Sequence, residues 1–212
     1  MKKLILMLVC AFTTLTMAAQ TKITWNMEFG LGVSGWIGDN ADGSSGLFSQ
    51  KVGIGLDIPL TGLVSFQSGL KWVAKGASSD FGYGELEDVD EDVKVNQNYL
   101  QMPLLAAFHV GTAAKFDMVF TVGPYLAYGV CGKSEYEIDD LTVSWDTFKD
   151  TKVKNAEVIS AFNRFDAGIQ LGIGLDFGRW TAGLDGEFGL CKVHSGDAPH
   201  NMGLYLKTGF KF

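Results

Sequence analysis

The residues most able to do acid–base chemistry are histidines, and two of them lie beside a serine and an aspartate. His194 and His200 flank Ser195 and Asp197 in the segment 193–201. A hydrolase of the serine type needs its nucleophile, base and orienting carboxylate within hydrogen-bond reach of one another. All four residues fall in one short segment, and no second segment supplies a matched partner. We therefore expect no catalytic residue and no enzyme activity.

Clustered carboxylates are the next candidates, because they can hold calcium. The segment 84–94 is rich in them: Glu85, Glu87, Asp88, Asp90, Glu91 and Asp92. The EF-hand spacing, with its mid-loop glycine, is absent. We expect a solvated acidic loop here and in the second acidic segment, 135–157. We predict no metal site and no cofactor, although divalent cations could bridge these carboxylates to anionic lipopolysaccharide.

The stretch 164–190, RFDAGIQLGIGLDFGRWTAGLDGEFGL, contains enough glycine to suggest a phosphate-binding loop. Gly168, Gly172 and Gly174 do not have the spacing of the dinucleotide fingerprint. Apolar residues instead occupy every second position from Phe165 to Phe177, with glycine, aspartate and glutamine between them. A strand sends two such sets to opposite faces, whereas a helix would scatter them. We interpret the stretch as part of a β-sheet wall.

The same period of two recurs along the chain and predicts about eight strands. They are expected over 24–33, 51–58, 63–75, 99–110, 116–128, 165–177, 180–190 and 202–212. Several have the length with which a tilted strand crosses a membrane. Tight connections at 59–62, 111–115 and 177–179 alternate with longer ones near 38–47, 76–95, 132–160 and 193–201. This asymmetry is typical of outer-membrane barrels. The predicted fold is therefore all-β, an eight-stranded antiparallel up-and-down transmembrane β-barrel.

Aromatic residues near the predicted strand ends support contact with lipid, because such side chains favour the membrane interface. They lie at the short-turn end (Trp25, Phe116, Trp180 and Phe212) and at the loop end (Trp72 and Tyr128). Outer-membrane lipid and lipopolysaccharide are the partners that this pattern predicts.

The first 19 residues have the order of a secretory signal peptide, with two lysines, an apolar run and then small residues. We expect cleavage after Ala18 or Ala19 and a barrel domain over 20–212. Cys10 follows a valine, and the apolar run continues past it, so lipidation is not expected. Without the leader's two lysines the chain keeps 15 basic and 24 acidic residues, a net charge of −9. Because phosphate binding needs clustered cations, we expect no nucleic-acid partner.

Strand parity also predicts which charged residues face the barrel interior. The inward set is Glu28, Lys51, Asp57, Lys71, Asp117, Arg164, Asp166, Asp176, Asp185, Glu187, Lys207 and Lys211. Buried charges must be paired or hydrated, so we predict a lumen blocked by salt bridges, with glycines leaving room for large side chains. His109 is inward as well and is expected to make a hydrogen bond there. Cys131 and Cys191 share inward parity two strands apart, about 10 Å, which is too far for a disulfide.

Several segments resemble the small outer-membrane β-barrel domains called PorT-like. They are the leader ending at Gln20, NYLQMPLLAAFHV (98–110), VGPYLAYGV (122–130), DAGIQLGIGLDF (166–177) and LYLKTGFKF (204–212). The resemblance covers most of the mature chain and implies an eight-stranded barrel in a bacterial outer membrane. The terminal strand with its final aromatic is similar to the signal read by the outer-membrane insertion machinery, which is therefore an expected partner. The resemblance implies no single activity and carries over no catalytic residue.

We predict a non-enzymatic outer-membrane barrel with an envelope-structural or surface-interaction role. One alternative is an accessory barrel of a protein secretion apparatus, which the PorT-like resemblance permits. Another is a soluble exported barrel that binds an apolar ligand, which would require the apolar residues to face inward.

Overall fold

A computed structural model describes residues 23–38, 41, 43–80, 91–112, 115–138, 141–152, 158–159, 161–196 and 198–212. Eight long strands form the barrel, and their bounds are β1 Thr24–Ile37, β2 Ser44–Pro59, β3 Val64–Asp80, β4 Glu91–Gly111, β5 Asp117–Ile138, β9 Phe165–Asp176, β10 Trp180–Lys192 and β11 His200–Lys211. Three short strands lie between β5 and β9, namely β6 Leu141–Asp146, β7 Thr151–Lys152 and β8 Val158–Ile159. No helix in the described part of the chain is long and apolar enough to cross a membrane.

The eight long strands close into one antiparallel barrel. Neighbours in sequence pair with one another, and β1 pairs with β11. The β6–β8 segment interrupts the chain between β5 and β9, yet these two strands pair directly from Asp117–Asp176 to Tyr128–Phe165. Closure gives every strand in the wall two neighbours, which removes the sheet edges that lipid could not hydrogen-bond. The predicted eight-stranded antiparallel barrel is confirmed.

The apolar set of each strand faces outward, as the alternation predicts. Ile169, Leu171 and Ile173 of β9 are exposed on the outer surface, while Asp166 and Gln170 are buried inside. A chain built to bind an apolar ligand in its interior would have the opposite arrangement. The alternative of a soluble barrel with an apolar interior is therefore wrong.

The connections follow the predicted asymmetry, but the strands are longer at the loop end than predicted. The tight turns lie at one end, where Gly178 adopts φ +90° between β9 and β10. At the other end β3 continues to Asp80, β4 begins at Glu91, and β5 continues to Ile138. Both faces of these extensions are polar or mixed, so the sequence alternation fades while the backbone pairing continues.

Aromatic side chains bound the outward apolar surface at both ends. At the short-turn end Trp25, Trp180 and Phe212 are exposed, and the Trp180 ring lies edge-on to that of Phe210 at 4.9 Å. At the loop end Tyr128 is exposed, and Trp72 donates a hydrogen bond from Nε1 to Asn98 Oδ1 over 3.2 Å. The apolar surface between them is the membrane-spanning belt expected of such a barrel.

Candidate functional site: the barrel lumen and its two ends

The centre of the lumen holds a cluster of buried charges from four strands. Lys51 of β2 lies 2.6 Å from Asp185 and 3.4 Å from Glu187, both of β10. Lys75 of β3 lies 3.3 Å from Glu187 and 3.3 Å from Asp166 of β9. These five side chains are almost completely buried. Each charge has an oppositely charged partner, which is the arrangement that a buried ion needs in order to be tolerated.

A second layer of ion pairs lies below the first, toward the short-turn end. Glu28 pairs with Lys71 and, at 3.8 Å, with Lys207. Lys207 also lies 2.7 Å from Asp185, so the two layers share this carboxylate. Lys211 and Asp176 form a further pair near the end of the barrel. Apart from the Lys211–Asp176 pair, these charges therefore form one connected network along the lumen.

Neutral polar and aromatic side chains fill the space around these charges. Gln101 donates to Glu187 at 3.0 Å, and Gln170 donates to Asp185 at 3.1 Å. The Lys75 ammonium lies 4.3 Å from the centre of the Tyr125 ring, and the Lys51 ammonium lies 4.6 Å from that of Tyr205. Such cation–π contacts add stabilisation that grows as water is excluded. These side chains tie the lysines to the wall as well as to the carboxylates.

Glycines in the wall make room for this filling. A Cβ at Gly172 would lie 2.5 Å from the Asp185 carboxylate, and one at Gly168 would lie 2.7 Å from the Tyr125 ring. In a narrow barrel the interior is only wide enough to hold side chains, so large inward residues require neighbours that have no side chain. The glycine-rich stretch is therefore wall, as predicted, and not a phosphate loop.

The segment after β6 closes the loop end of the lumen. Phe148 is buried, with its ring 5.9 Å from that of Tyr99, and it packs directly on Gly129. The Arg164 guanidinium lies 5.1 Å from the same ring and donates to the carbonyls of Gly129 and Phe148. Thr147 bonds to Ser134 Oγ at 2.9 Å. We call Thr147 and Phe148, with the contacts just given, the loop-end plug.

The short-turn end of the lumen is open to solvent. A small cavity, with about 50 Å³ of room for water, enters the lumen there. It is lined mainly by polar side chains, including those of Glu28, Gln67, His109, Thr121, Asp176 and Lys207. The network of ion pairs forms its floor, so this vestibule ends before the middle of the barrel.

Most of the charges predicted to face inward form ion pairs, but three do not. Arg164 lies at the loop end and binds carbonyl oxygens. Asp117 is exposed, because it is the first residue of β5 and lies at the open rim. Asp57 accepts a 2.6 Å hydrogen bond from Gln67 instead of a salt bridge. Inward parity thus predicts the pairing for residues in the middle of a strand, whereas at the strand ends it holds for Lys211 and Asp176 only.

The sequence reasoning missed Lys75 and the plug residues. Lys75 has the same parity as Lys71 and is the last residue of the predicted strand 63–75, whereas β3 continues to Asp80. Continuing the inward set from Lys71 through Val73 leads to it. No periodic signal marks Thr147 and Phe148, because they lie in a turn whose position depends on the pairing of β6 with β5.

The histidines are not brought together. His109 Nε2 lies 2.8 Å from Ser65 Oγ inside the lumen, which matches the hydrogen bond expected there. His194 Nδ1 contacts the Ser195 carbonyl at 2.9 Å, and its ring lies 5.8 Å from that of Phe162. Asp197 lies outside the described residues. In the described part of the chain, no base is placed on the Ser195 hydroxyl.

The cysteine prediction is partly wrong. Both Cys131 and Cys191 are free, in agreement with the distance argument. Cys131, however, does not face inward, because a bulge shifts the β4–β5 register between Asn98–Cys131 and Tyr99–Gly129. The extra residue reverses parity, so Gly129 faces the lumen while Cys131 is exposed.

Glu85, Glu87, Asp88 and Asp90 of the first acidic segment lie outside the described residues, as do the side chains of Glu91 and Asp92. In the second segment, Glu135 pairs with Lys133 at 2.7 Å, and Lys149 pairs with Asp146 at 2.7 Å. These ion pairs lie beyond the apolar belt, and each lysine lowers the pKa of its carboxylate partner. Among the described residues, no group of three or more metal-ligating side chains is close enough to hold a metal ion.

Known structures with similar chains are outer-membrane barrels. Ail, the attachment invasion locus protein of Yersinia pestis, is 14% identical over 91% of this chain and 99% of its own, with a TM-score of 0.36. The N-terminal β-barrel domain of Pseudomonas aeruginosa OprF is 15% identical over 88% and 97%, with a TM-score of 0.38. Neisserial surface protein A is 8% identical over 90% and 97%, with a TM-score of 0.40. No curated protein matches the chain by sequence.

Residues 18–195 match the family model of the outer membrane protein beta-barrel domain. The match covers most of the chain, and it agrees with the closed barrel and the outward apolar belt described above. The protein is therefore located in the bacterial outer membrane. It belongs to the outer membrane protein beta-barrel domain family.

Proposed function

We propose that this protein is a non-enzymatic outer-membrane barrel with a filled, non-conducting lumen and an envelope-structural or surface-interaction role. The observation that carries the proposal is the continuous network of buried ion pairs across the lumen, from Lys75–Asp166 through Lys51–Asp185 to Lys207–Glu28. A conducting pore of this width would need a column of water where these side chains lie.

Moving an ion through this network would be costly for a simple reason. The passing ion would have to lose its water and compete with lysines and carboxylates that already have partners. The loop-end plug, Thr147 and Phe148, adds a second obstruction above the network. A barrel of this kind is a rigid support for whatever its outer end presents.

Planar-bilayer recording tests the filled lumen. We expect purified protein to insert without a steady conductance. The heat-dependent shift of the barrel on gels serves as the control that the inserted protein is folded. A stable, sizeable conductance from folded protein would contradict the proposal.

The absence of enzyme activity is a separate part of the proposal and is tested at the segment where a histidine and a serine are adjacent in the sequence, His194 and Ser195. We expect no cleavage of lipid A or of peptides by the wild type. The matched variant carries His194→Ala and Ser195→Ala. Cleavage by the wild type that this variant loses would show an enzyme.

A role as an accessory barrel of a secretion apparatus is a second candidate, and the polar vestibule favours it. Its lining residues, such as Gln67 and His109, open toward the short-turn end, which faces the periplasm in such barrels. The finer PorT-like assignment rests on the motifs at 98–110 and 166–177 and belongs to this candidate. Crosslinking in cells followed by co-purification tests it, with translocon or periplasmic proteins as the expected partners.

We also propose that lipid, lipopolysaccharide and the insertion machinery are its partners in the membrane. The support is the apolar belt and the last strand, β11, which alternates and is followed by the exposed Phe212. Changing Phe212→Ser should slow assembly into the outer membrane, measured by the gel shift after pulse labelling, whereas Phe212→Tyr should not. Equal assembly of all three proteins would remove the role of this aromatic.

A further inference from the structure

The strand β6 has one partnered edge and one open edge. Among the described residues it pairs with β5 alone, from Lys133–Asp146 to Ile138–Leu141, and it ends the strand order of the sheet. This hairpin lies above the apolar belt, because the outward apolar residues of β5 end at Val130. The open edge is therefore outside the membrane, where backbone groups can be reached by another chain.

The pairing register shows which backbone groups lie on the open edge. Ile138 and Leu141 are paired across a two-residue connection, so their backbone N–H and C=O groups bond to each other. In the next pair, Glu137 and Thr142, the backbone groups do not bond to each other. The N–H and C=O groups of Val143 therefore point to β5, and those of Thr142 and Ser144 point away from it. The bond from Thr147 N to Gly132 O continues the same alternation. Thr142 and Ser144 thus present two backbone N–H donors and two backbone C=O acceptors along the open edge of β6.

The residues along this edge are accessible and suited to strand pairing. Thr142, Val143 and Ser144 are all exposed. Two of them are β-branched, which favours an extended backbone. In soluble proteins such an edge is commonly blocked by proline, a bulge or a covering loop, and Thr142–Ser144 contains neither proline nor a bulge.

The charge of the hairpin indicates what would pair with it. Residues 133–146 carry five carboxylates and one lysine. A second copy of this chain would bring the same negative charges together across the new pairing, which is unfavourable. A basic strand would instead place its cations against these carboxylates.

We propose that the open edge of β6 binds an extended, lysine- or arginine-rich segment of another protein outside the cell, which adds to the sheet as a further strand. Main-chain hydrogen bonds at Thr142 and Ser144 supply the binding, and the acidic hairpin selects a basic partner. The inference rests on the surface-interaction role proposed above and names its site and the chemistry of its partner.

A labelled peptide of about eight residues, alternating lysine and valine, is the probe for this edge. Its binding to the full chain in lipid nanodiscs would be followed by fluorescence anisotropy. The protein variants are Ser144→Pro, which removes an outward N–H, and the matched control Ser144→Ala, which keeps it. Proline is tolerated on an edge where the N–H faces solvent, so the hairpin should survive. The peptide controls are an alternating glutamate–valine peptide and the lysine peptide N-methylated at alternate residues.

We expect Ser144→Pro to weaken binding by about 3- to 10-fold, the effect of one hydrogen bond, and Ser144→Ala to leave it unchanged. The N-methylated and glutamate peptides should not bind. Equal binding of the N-methylated peptide, or equal binding to both Ser144 variants, would overturn strand addition. Another outcome is that the wild type binds no peptide but self-associates, and that Ser144→Pro abolishes this self-association. This result would assign the edge to a second copy of the chain and also overturn the proposal. If the bilayer recording shows no conductance and the peptide does not bind, the strand-addition inference alone is rejected. If the barrel conducts, the filled lumen is rejected.

Discussion

The wall of the barrel and the β5–β6 hairpin are built from the same kind of strand, yet they treat their edges in opposite ways. In the wall, every strand pairs on both sides, and the β1–β11 pairing closes the circle. In the hairpin, β6 pairs on one side only among the described residues. The difference follows the solvent, because lipid cannot hydrogen-bond a free edge and water can. Strand closure is thus required only over the height of the membrane.

Charges differ between the two regions in the same way. Lys51 in the lumen is buried between Asp185 and Glu187, whereas Lys133 in the hairpin is mostly exposed beside Glu135. Removing one member of a buried pair leaves a charge without water or partner, while an exposed partner is simply hydrated.

The largest effect should come from a proline in the closed wall. Ile173 pairs with Phe120 of β5 and Leu184 of β10 in ladders that are continuous on both sides. Pro103 and Pro124 each lie where one of their two ladders is interrupted, β3–β4 at Pro103 and β4–β5 at Pro124. We expect Ile173→Pro to prevent barrel assembly, because it removes a hydrogen bond that lipid cannot replace. The measurement is the heat-dependent gel shift, with Ile173→Val as the control. A normally shifting proline variant would show that the wall tolerates an interruption here.

The next largest effect should come from the buried lysine. We expect Lys51→Met to lower the free energy of unfolding by about 3–5 kcal/mol, because Asp185 and Glu187 lose their shared cation. Denaturant titration in lipid vesicles, followed by tryptophan fluorescence, measures it. The control is Lys133→Met in the hairpin, for which we expect no measurable change. Equal effects of the two substitutions would remove the distinction between lumen and hairpin.

A methyl group at a close approach in the wall should have an intermediate effect. A Cβ at Gly32 would clash with the carbonyl oxygen of Leu204 on the neighbouring strand, whereas one at Gly62 would meet nothing within 4 Å. We expect Gly32→Ala to destabilise the barrel by about 1–3 kcal/mol, as overpacking does. Gly62→Ala is the control and should be close to neutral in the same titration. A neutral Gly32→Ala would mean that the strands can separate locally without cost.

The smallest effect should come from a proline on the open edge. Ser144→Pro should change the free energy of unfolding by less than about 0.5 kcal/mol, because the N–H that it removes faces water. The same titration and gel shift measure it. A loss of folded barrel in this variant would show that β6 has a partner on its second side.

The pattern of residues predicted much of the fold and part of the candidate site. The alternation at 165–177 was sufficient to place Ile173 outside and Gln170 inside, because a strand has only two faces. It failed at Cys131, where a one-residue bulge reverses the parity without any mark in the local sequence. It also missed Lys75, because the residues next to it, Ala74 and Gly76, are small and give no apolar alternation at that point of the strand.

The sequence by itself determined the closed β-barrel, its apolar exterior and its charged interior, because lipid and lumen impose opposite chemistry on alternate residues of every strand. Only the tertiary structure decided which charges pair, where the bulge falls, how Phe148 closes the loop end and which edge of β6 stays open. These features depend on register between strands distant in the chain, and register is set by how all eight strands close together.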